Sequence, residues 1–336
     1  MTVVFRCNAG PEIGFGHLVR CRALAHTLYE KGEHCVMVGP DQSYTKPEDH
    51  ELFEDWISVP DWPSSTDDAQ GLIGIAKARQ AKWLVLDDYR VDETYQLAVR
   101  AAGLRWLQFD GSASKPLWAD IILNASPSAR AEEDYSAMVR NPNAQLLLGP
   151  AYAILRPEFQ DVIPREPGRP VKRILVTFGG GDDRGGNQFV LSTLLPITSP
   201  DQHVVVISGA SNPNNTSIKQ WIESYGKDRV SLFVDPDHVA SLFASCDLAI
   251  MAGGTSVYEA LRCGVYPIIF SIVDNQKRHS KAWAEKGCVK YLGDYKDLDK
   301  FTLVQATQNL LSNTVQFSCE KLIDGNGATR VAGQIK

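Results

Sequence analysis

The order of secondary structure is set by residues 2–39, TVVFRCNAGPEIGFGHLVRCRALAHTLYEKGEHCVMVG. The apolar run TVVFRC predicts a strand, and LVRCRALAHTLYEKG carries apolar residues at helical spacing up to a stop at Gly32. The run HCVMVG predicts the next strand. Because these strands are apolar almost throughout, we expect a parallel sheet that is covered by helices on both faces.

The same alternation continues to residue 152 and restarts at residue 173. Between these points QDVIPREPGRPVK has three prolines and no periodicity, which is typical of a linker. We therefore predict an α/β protein with two doubly wound, Rossmann-like parallel-sheet domains whose strand ends face a central cleft. The predicted boundaries are 1–160 for the N-terminal domain, 161–172 for the linker and 173–320 for the C-terminal domain. The segment 301–336 is predicted to pack back toward the N-terminal domain.

Composition limits the function classes. The chain has 336 residues and a formal net charge of -6, which argues against nucleic acid or an anionic membrane as a general partner. Neither a signal peptide nor an apolar stretch long enough to span a membrane is evident, so we expect a cytoplasmic protein. The seven cysteines include no C-x-x-C pair, and we expect buried free thiols.

Glycines occupy three predicted turns between a strand and a helix: PEIGFGH, FGGGDDRGGN and MAGGTSVYEAL. Glycine lets backbone amides approach a ligand, and a helix start attracts anionic oxygens. The alternative is that any tight turn of this kind needs glycine. The G-x-G-H spacing lacks the third glycine of a dinucleotide fingerprint, and G-x-x-x-x-G-K-[ST] is absent, so we do not expect NAD or P-loop ATP as a ligand.

The third turn allows two interpretations. Ser256 and Glu259 have the S-x-x-E spacing of a capping box, in which both side chains satisfy amides at the helix start. Alternatively, the GGTS amides and hydroxyls hold a phosphate while Glu259 accepts hydrogen bonds from ribose hydroxyls. Spacing alone does not separate the two.

His17 is the candidate base, because it follows Gly14-Phe15-Gly16 at a predicted helix start, where the helix dipole disfavours the imidazolium form. A neutral imidazole in a cleft is suited to accept a proton. Asp87 and Tyr89 follow the apolar strand of VLDDYR and are candidates to orient substrate or water near His17. The alternatives are a packing role for His17 and, for VLDDYR, a turn and helix cap before VDETYQL.

The chain resembles the UDP-2,4-diacetamido-2,4,6-trideoxy-β-L-altropyranose hydrolases of pseudaminic acid biosynthesis. That family lies within a glycosyltransferase-B-like group that also includes the UDP-GlcNAc transferase of lipid II synthesis. The resemblance covers most of the chain. It is carried by IGFGHLVRCRALA (13–25), LDDY (86–89), GPAYAILRPEF (149–159), FGGGD (178–182), AGGTSVYEAL (252–261) and DNQ (274–276).

The resemblance implies inverting hydrolysis of a UDP-linked 2,4-diacetamido-2,4,6-trideoxy sugar, with a catalytic N-terminal domain and a UDP-binding C-terminal domain. It implies no metal and no cofactor, and a small UDP-sugar as the partner. Independently of the resemblance, our working expectation is a monomer. The resemblance implies a catalytic role for His17, and we expect Asp87 and Tyr89 to support it by orienting water or sugar. The candidate sugar-binding residues are Asn8, Gly14, Gly16, Arg20, Asp88, Tyr152 and Arg156. The candidate nucleotide-binding residues are Gly179, Gly180, Gly253, Gly254, Thr255, Ser256, Glu259, Asn275 and Gln276.

The chain departs from this family at three strand ends of the N-terminal domain. Asn8 and Gly111 stand where the family usually has aspartate, and Asp88 stands where it usually has histidine. Three alternatives therefore stay open. The first is hydrolysis of a related UDP-linked or other nucleotide-linked diamino sugar. The second is a glycosyltransferase in which His17 deprotonates an acceptor hydroxyl, and the third is a non-catalytic protein that binds a nucleotide sugar.

Overall fold

The computed structural model describes residues 1–11, 13–59, 64–128, 135–166, 168–312, 319 and 322–336. Some predicted features fall outside these residues in part. They are Glu12 of the first glycine turn, Pro167 of the linker, and 313–318 and 320–321 of the C-terminal segment.

The chain divides into two compact units. The first contains Met1–Gly10, His17–Pro157 and Asn326–Lys336, and the second contains Pro11–Gly16 and Glu158–Gly325.

The first unit is built around a parallel sheet. Its strands are β1 (Thr2–Cys7), β2 (His34–Gly39), β3 (Asp55–Ser58), β4 (Trp83–Asp87), β5 (Arg105–Phe109), β6 (Ile121–Asn124) and β7 (Gln145–Leu148). Its helices are α1 (Gly16–Glu30, of which Gly16 groups with the second unit), α2 (Asp49–Leu52), α3 (Ser65–Ala78), α4 (Glu93–Ala101) and, near the C-terminus, α11 (Gly327–Ala332).

The sheet order of this unit is β3-β2-β1-β4-β5-β6-β7. The chain builds outward from β1 in one direction through β2 and β3, then returns to the other side of β1 with β4. Loops at the carboxyl ends of such a neighbouring pair diverge and leave room for a ligand. The parallel register sets Cys7 opposite Asp87, so the segments after β1 and β4 leave the sheet side by side.

The second unit repeats this arrangement. Its strands are β8 (Arg173–Thr177), β9 (His203–Ser208), β10 (Val230–Val234), β11 (Leu248–Ala252), β12 (Tyr266–Ser271) and β13 (Lys290–Asp294), in the order β10-β9-β8-β11-β12-β13. Its helices are α5 (Gly186–Leu194), α6 (Asn215–Tyr225), α7 (Val239–Ala244), α8 (Ser256–Arg262), α9 (Lys277–Glu285) and α10 (Lys300–Ser312). Here the strand order reverses between β8 and β11.

The predicted fold class, an α/β protein with two doubly wound parallel-sheet domains, is confirmed. Sequence reading missed β3 and β13, which lie at sheet edges. No residue of either edge strand is fully buried, whereas every residue of β4 and β11 is. A strand with one unpaired side and mixed exposure lacks the continuous apolar run that identified the central strands.

The segment predicted as a linker is anchored within the second unit. The Nε atom of Arg165 lies 2.7 Å from Asp247 Oδ1, and the backbone amide of Arg173 donates to Asp247 Oδ2 over 2.7 Å. The chain passes from the first compact unit to the second between Pro157 and Glu158, and it returns to the first unit at Asn326.

The expectation that every cysteine is a free thiol is wrong. Cys288 and Cys319 form a disulfide across a sequence separation of 31 residues, with their Cα atoms 5.7 Å apart. No C-x-x-C spacing in the sequence indicates this pair, because only the tertiary fold brings the two residues together. Cys7, Cys21, Cys35, Cys246 and Cys263 are free and buried, as expected.

Within the described part of the chain, none of the helices combines the length and apolar character that crossing a bilayer requires.

Candidate functional site

His17 lies in the first turn of α1, directly after the glycine-bearing turn that follows β1. Gly14 in that turn has a φ of 86°, a left-handed conformation that favours glycine. The ring of His17 is buried, with 7% of the residue exposed. The turn therefore sets the direction in which α1 starts and with it the place of the imidazole.

Asp87 ends β4 and is 1% exposed. Its Oδ1 lies 2.7 Å from His17 Nδ1, a hydrogen-bond distance. An ionised carboxylate can only accept, so a proton in this bond belongs to Nδ1. In the neutral ring Nε2 is then the unprotonated nitrogen, which is the arrangement that a general base requires.

Arg20 lies one turn after His17 on α1 and approaches the same carboxylate. Its Nε donates to Asp87 Oδ2 and its Nη2 donates to Asp87 Oδ1. Its guanidinium carbon lies 4.6 Å from the centre of the Phe109 ring. Although burial acts to raise the pKa of Asp87, the positive charge of Arg20, together with His17, holds this pKa well below its usual range.

Tyr89 lies beside the imidazole. The two rings are 4.8 Å apart at an angle of 83°, an edge-to-face contact, and 56% of Tyr89 is exposed. The turn alternative for this segment fits Asp88, whose Oδ1 accepts from the Arg90 backbone amide over 2.9 Å. The cap of α4 is Asp92, so the structure leaves Asp87 and Tyr89 at His17 rather than at a helix cap.

The other candidate sugar-binding residues are spread over the same unit and the turn after β1. Asn8 follows β1, and its side-chain oxygen accepts from the Ala9 amide over 2.9 Å. Asp88 pairs with Arg90, with 2.7 Å between Oδ2 and Nη2. Tyr152 lies in the short 3-10 turn Pro150–Tyr152 after β7, and Arg156 follows it. Because β5 and β6 lie between β4 and β7, the sheet does not bring Tyr152 beside Asp87.

In the second unit most candidate nucleotide residues follow β8 and β11, the central pair of the sheet, while Asn275 and Gln276 follow β12. Gly179 has a φ of 91°, and a Cβ at Gly209, after β9, would lie 2.3 Å from the Gly180 carbonyl oxygen. The FGGGD turn therefore packs backbone to backbone on the neighbouring turn, which only glycine permits.

The turn after β11 packs against the start of α9. A Cβ at Gly253 would lie 2.0 Å from Ser280 Oγ, and a Cβ at Gly254 would lie 3.7 Å from Gln276 Nε2. The structure thus brings the AGGTS and DNQ motifs together. Gln276 Oε1 accepts from the Ile272 amide over 3.0 Å, and Asn275 is exposed.

The capping-box interpretation of Ser256 and Glu259 is not the arrangement found at α8. Thr255 occupies the cap position and makes no side-chain capping hydrogen bond, and Ser256 is the first helical residue. Glu259 is 5% exposed in the first turn of this helix.

Sequence reasoning missed a buried polar network behind the FGGGD turn. Asp183, 2% exposed, accepts from Asn187 Nδ2 and from Asn214 Nδ2, each over 2.6 Å. It also accepts from the Gly185 amide over 3.0 Å. The signal available in the sequence was an aspartate between a glycine turn and a helix start, a position that caps backbone amides.

Among the residues that the structure covers, no group of three or more His, Cys, Asp or Glu side chains could hold a metal ion.

The chain is similar to several known proteins. Residues 173–331 match the glycosyltransferase family 28 C-terminal domain. The UDP-2,4-diacetamido-2,4,6-trideoxy-beta-L-altropyranose hydrolase of Campylobacter jejuni is 26% identical over 288 residues, which cover 85% of this chain and 97% of that protein. The spore coat polysaccharide biosynthesis protein SpsG of Bacillus subtilis is 25% identical over 350 residues, which cover 98% of this chain and 96% of that protein.

Solved structures agree on the fold. MurG from Acinetobacter baumannii aligns over 100% of this chain and 99% of its own, with a TM-score of 0.65 and 15% identity. The fold is therefore glycosyltransferase-B-like. The resemblance to the UDP-sugar hydrolase, drawn from the sequence motifs, is confirmed.

Proposed function

We propose that the protein hydrolyses a UDP-linked 2,4-diacetamido-2,4,6-trideoxy sugar with inversion and releases UDP and the free sugar. The observation that carries this proposal is the 2.7 Å contact between His17 Nδ1, at the start of α1, and Asp87 Oδ1, at the end of β4. The similarity to the Campylobacter jejuni protein, whose name specifies this sugar, supports the proposed reaction class. We propose that the reaction belongs to nonulosonic (pseudaminic) acid biosynthesis.

In the proposed reaction His17 Nε2 takes a proton from water. The water oxygen attacks the anomeric carbon, and the bond from that carbon to the UDP oxygen breaks, so that UDP leaves with the electron pair. Attack from the face opposite UDP inverts the anomeric centre. Asp87 stabilises the imidazolium that forms, the role of the acid in other acid–histidine pairs. Tyr89, in edge contact with the ring, orients water or sugar.

The nucleotide half of the proposal lies in the second unit. Amides and hydroxyls of Gly253, Gly254, Thr255 and Ser256 hold the diphosphate, and Glu259 accepts from the ribose hydroxyls. Gly179, Gly180, Asn275 and Gln276 complete this set. The match of residues 173–331 to a glycosyltransferase C-terminal domain supports this assignment. Amides that face the leaving diphosphate would stabilise its developing charge.

The sugar is proposed to contact the turn after β1 and the segment after β4. Asn8, Gly14, Gly16 and Asp88 lie in these two segments. Tyr152 and Arg156 lie in the segment after β7 and are proposed to reach the more distant substituents of the sugar.

A glycosyltransferase is the second candidate, because the matched C-terminal domain is named for glycosyltransferases. In this version His17 deprotonates an acceptor hydroxyl instead of water. The same pair of residues serves both reactions, and only the nucleophile differs.

One experiment separates the candidates. The protein is incubated with the UDP-linked 2,4-diacetamido-2,4,6-trideoxy-altrose, and UDP release and anomeric configuration are followed by NMR. Hydrolysis predicts release without an acceptor and an inverted anomer in the first spectra. Release only after addition of an acceptor sugar or lipid supports the transferase. Saturable UDP binding without release in either condition supports a non-catalytic binding protein.

A further inference from the structure

Arg20 meets the buried carboxylate of Asp87 with two nitrogens. Its Nε and Nη2 each donate to a different oxygen of Asp87. This bidentate geometry fixes both the position and the plane of the carboxylate, which one point charge does not achieve. The Phe109 ring, whose centre lies 4.6 Å from the guanidinium carbon, packs against the guanidinium group and helps to hold it in place.

The other groups around Asp87 cannot hold its carboxylate with a positive charge as Arg20 does. Cys21 Sγ lies 3.8 Å from Asp87 Oδ2, and burial raises the pKa of its thiol well above the ordinary value, so it stays neutral. Cys7, on β1, faces Cys21, and a thiol cannot supply a positive charge. Tyr89 faces Arg20 from the segment after β4, and a phenol cannot supply a positive charge. Arg20 is thus the permanent positive charge in contact with this carboxylate within the described chain.

Arg20 and Asp87 both approach Nδ1 of His17, and each would favour a different tautomer of the ring. Arg20 Nη2 lies 3.1 Å from His17 Nδ1, while Asp87 Oδ1 lies 2.7 Å from the same nitrogen. Arginine only donates, so a bond from Arg20 to Nδ1 would require the ring proton on Nε2. A bond from Nδ1 to Asp87 requires it on Nδ1. The second bond is the shorter one and involves an ionised acceptor, which strengthens it.

We propose that Arg20 is a positioning residue that holds Asp87 ionised and in place, so that Asp87 keeps the ring proton of His17 on Nδ1 and leaves Nε2 as the proton acceptor. The kinetic consequence rests on the proposed function, whereas the tautomer does not. Without the charge of Arg20, the buried carboxyl group would take up a proton more readily and could then donate to Nδ1, which reverses the tautomer.

The direct test is the tautomer itself. Protein labelled with 15N-histidine is studied by long-range 1H–15N NMR, and the His17 signals are identified by their loss in His17→Ala. The proposal predicts a neutral His17 with its proton on Nδ1 in the wild-type protein. A proton on Nε2, with Nδ1 accepting from Arg20, would overturn it whatever the protein's activity.

Kinetics of two matched variants test the role of Arg20. Arg20→Gln removes the charge, and Arg20→Lys keeps the charge but loses the fork. For Arg20→Gln we expect kcat to fall by about 10²-fold with KM little changed. The acidic limb of its pH–rate profile should move to higher pH, because the charge of Arg20 no longer lowers the pKa of Asp87. Arg20→Lys should keep the position of that limb and lose part of kcat.

A raised KM with unchanged kcat and an unmoved acidic limb would instead make Arg20 a substrate ligand. Circular dichroism and UDP titration of each variant show whether the fold and the second unit are preserved. If the wild-type protein has the predicted tautomer but releases no UDP from the sugar nucleotide, the proposed function fails and the inference about Arg20 stands. A variant that does not fold leaves the wild-type tautomer measurement as the deciding result.

Discussion

We predict that replacing Gly253 by alanine is harmful because the added Cβ clashes with Ser280, and that a second substitution at Ser280 removes the clash. A Cβ at this position would lie 2.0 Å from Ser280 Oγ, closer than side-chain atoms approach one another. Ser280 is fully buried, so its hydroxyl has little room to move away. Overpacking of this kind costs about 1–3 kcal/mol. We expect Gly253→Ala to destabilise the protein by about this amount, or to weaken UDP binding by roughly 5- to 150-fold if the turn shifts instead.

The rescue is specific. Once Ser280 Oγ is removed, the next atom of that residue lies 3.4 Å from the added Cβ, an ordinary contact. Ser280 Oγ has no hydrogen-bond partner among the described residues, so Ser280→Ala alone should change the free energy of unfolding by less than about 0.5 kcal/mol. The double variant Gly253→Ala/Ser280→Ala should therefore recover most of the loss.

Urea unfolding and calorimetric titration with UDP measure both quantities in one double-mutant cycle. Gly254→Ala is the matched control, because its added Cβ would meet only Gln276 Nε2 at 3.7 Å. A double variant no better than Gly253→Ala would refute the steric reasoning and leave the glycine requirement to direct contact with the ligand.

Three further predictions concern the first unit. His17→Ala should lower kcat by at least about 10³-fold while the UDP affinity measured by calorimetry stays within a factor of two or so, because the base acts only in the chemical step; an equal loss of both would indicate structural damage. Because the folded-state pKa of Asp87 is depressed, its contribution to stability is present above the unfolded value of about 3.9 and is lost as pH falls toward the folded value. The urea midpoint of Asp87→Asn should thus change less than that of the wild type between pH 5 and pH 3, and parallel curves would contradict this. Arg6→Met should destabilise by about 3–5 kcal/mol in urea unfolding, since it leaves the buried Asp68, 2.6 Å from Arg6 Nη2, without its charge partner; a loss below about 1 kcal/mol would be inconsistent with a buried pair.

The central strands, and the elements that carry the candidate site, could be predicted from the sequence. The runs that became β1, β4, β8 and β11 are apolar along nearly their whole length, and the glycine turns and the LDDY segment follow them directly. Parallel strands place their carboxyl ends at one edge of the sheet, so His17 and Asp87 could be expected near each other although they are 70 residues apart.

What the sequence could not provide is the chemistry between side chains. The fork of Arg20 on Asp87 spans 67 residues, and nothing in the local pattern distinguishes Arg20 from Arg22, which instead pairs with Asp49. The contact between Gly253 and Ser280 and the disulfide between Cys288 and Cys319 are likewise set by tertiary packing. Such pairings depend on the angle at which each helix leaves the sheet, which periodicity does not encode.

The proposal that water attacks the anomeric carbon is tested most directly by the fate of oxygen. The reaction is run in water enriched in 18O, and the released UDP is analysed by mass spectrometry and by the isotope shift of its β-phosphorus. Attack on carbon by water that His17 activates predicts UDP without 18O, an inverted sugar product, and the loss of both products in His17→Ala. One 18O atom in the β-phosphate would show that the phosphorus–oxygen bond is cleaved and would contradict the account.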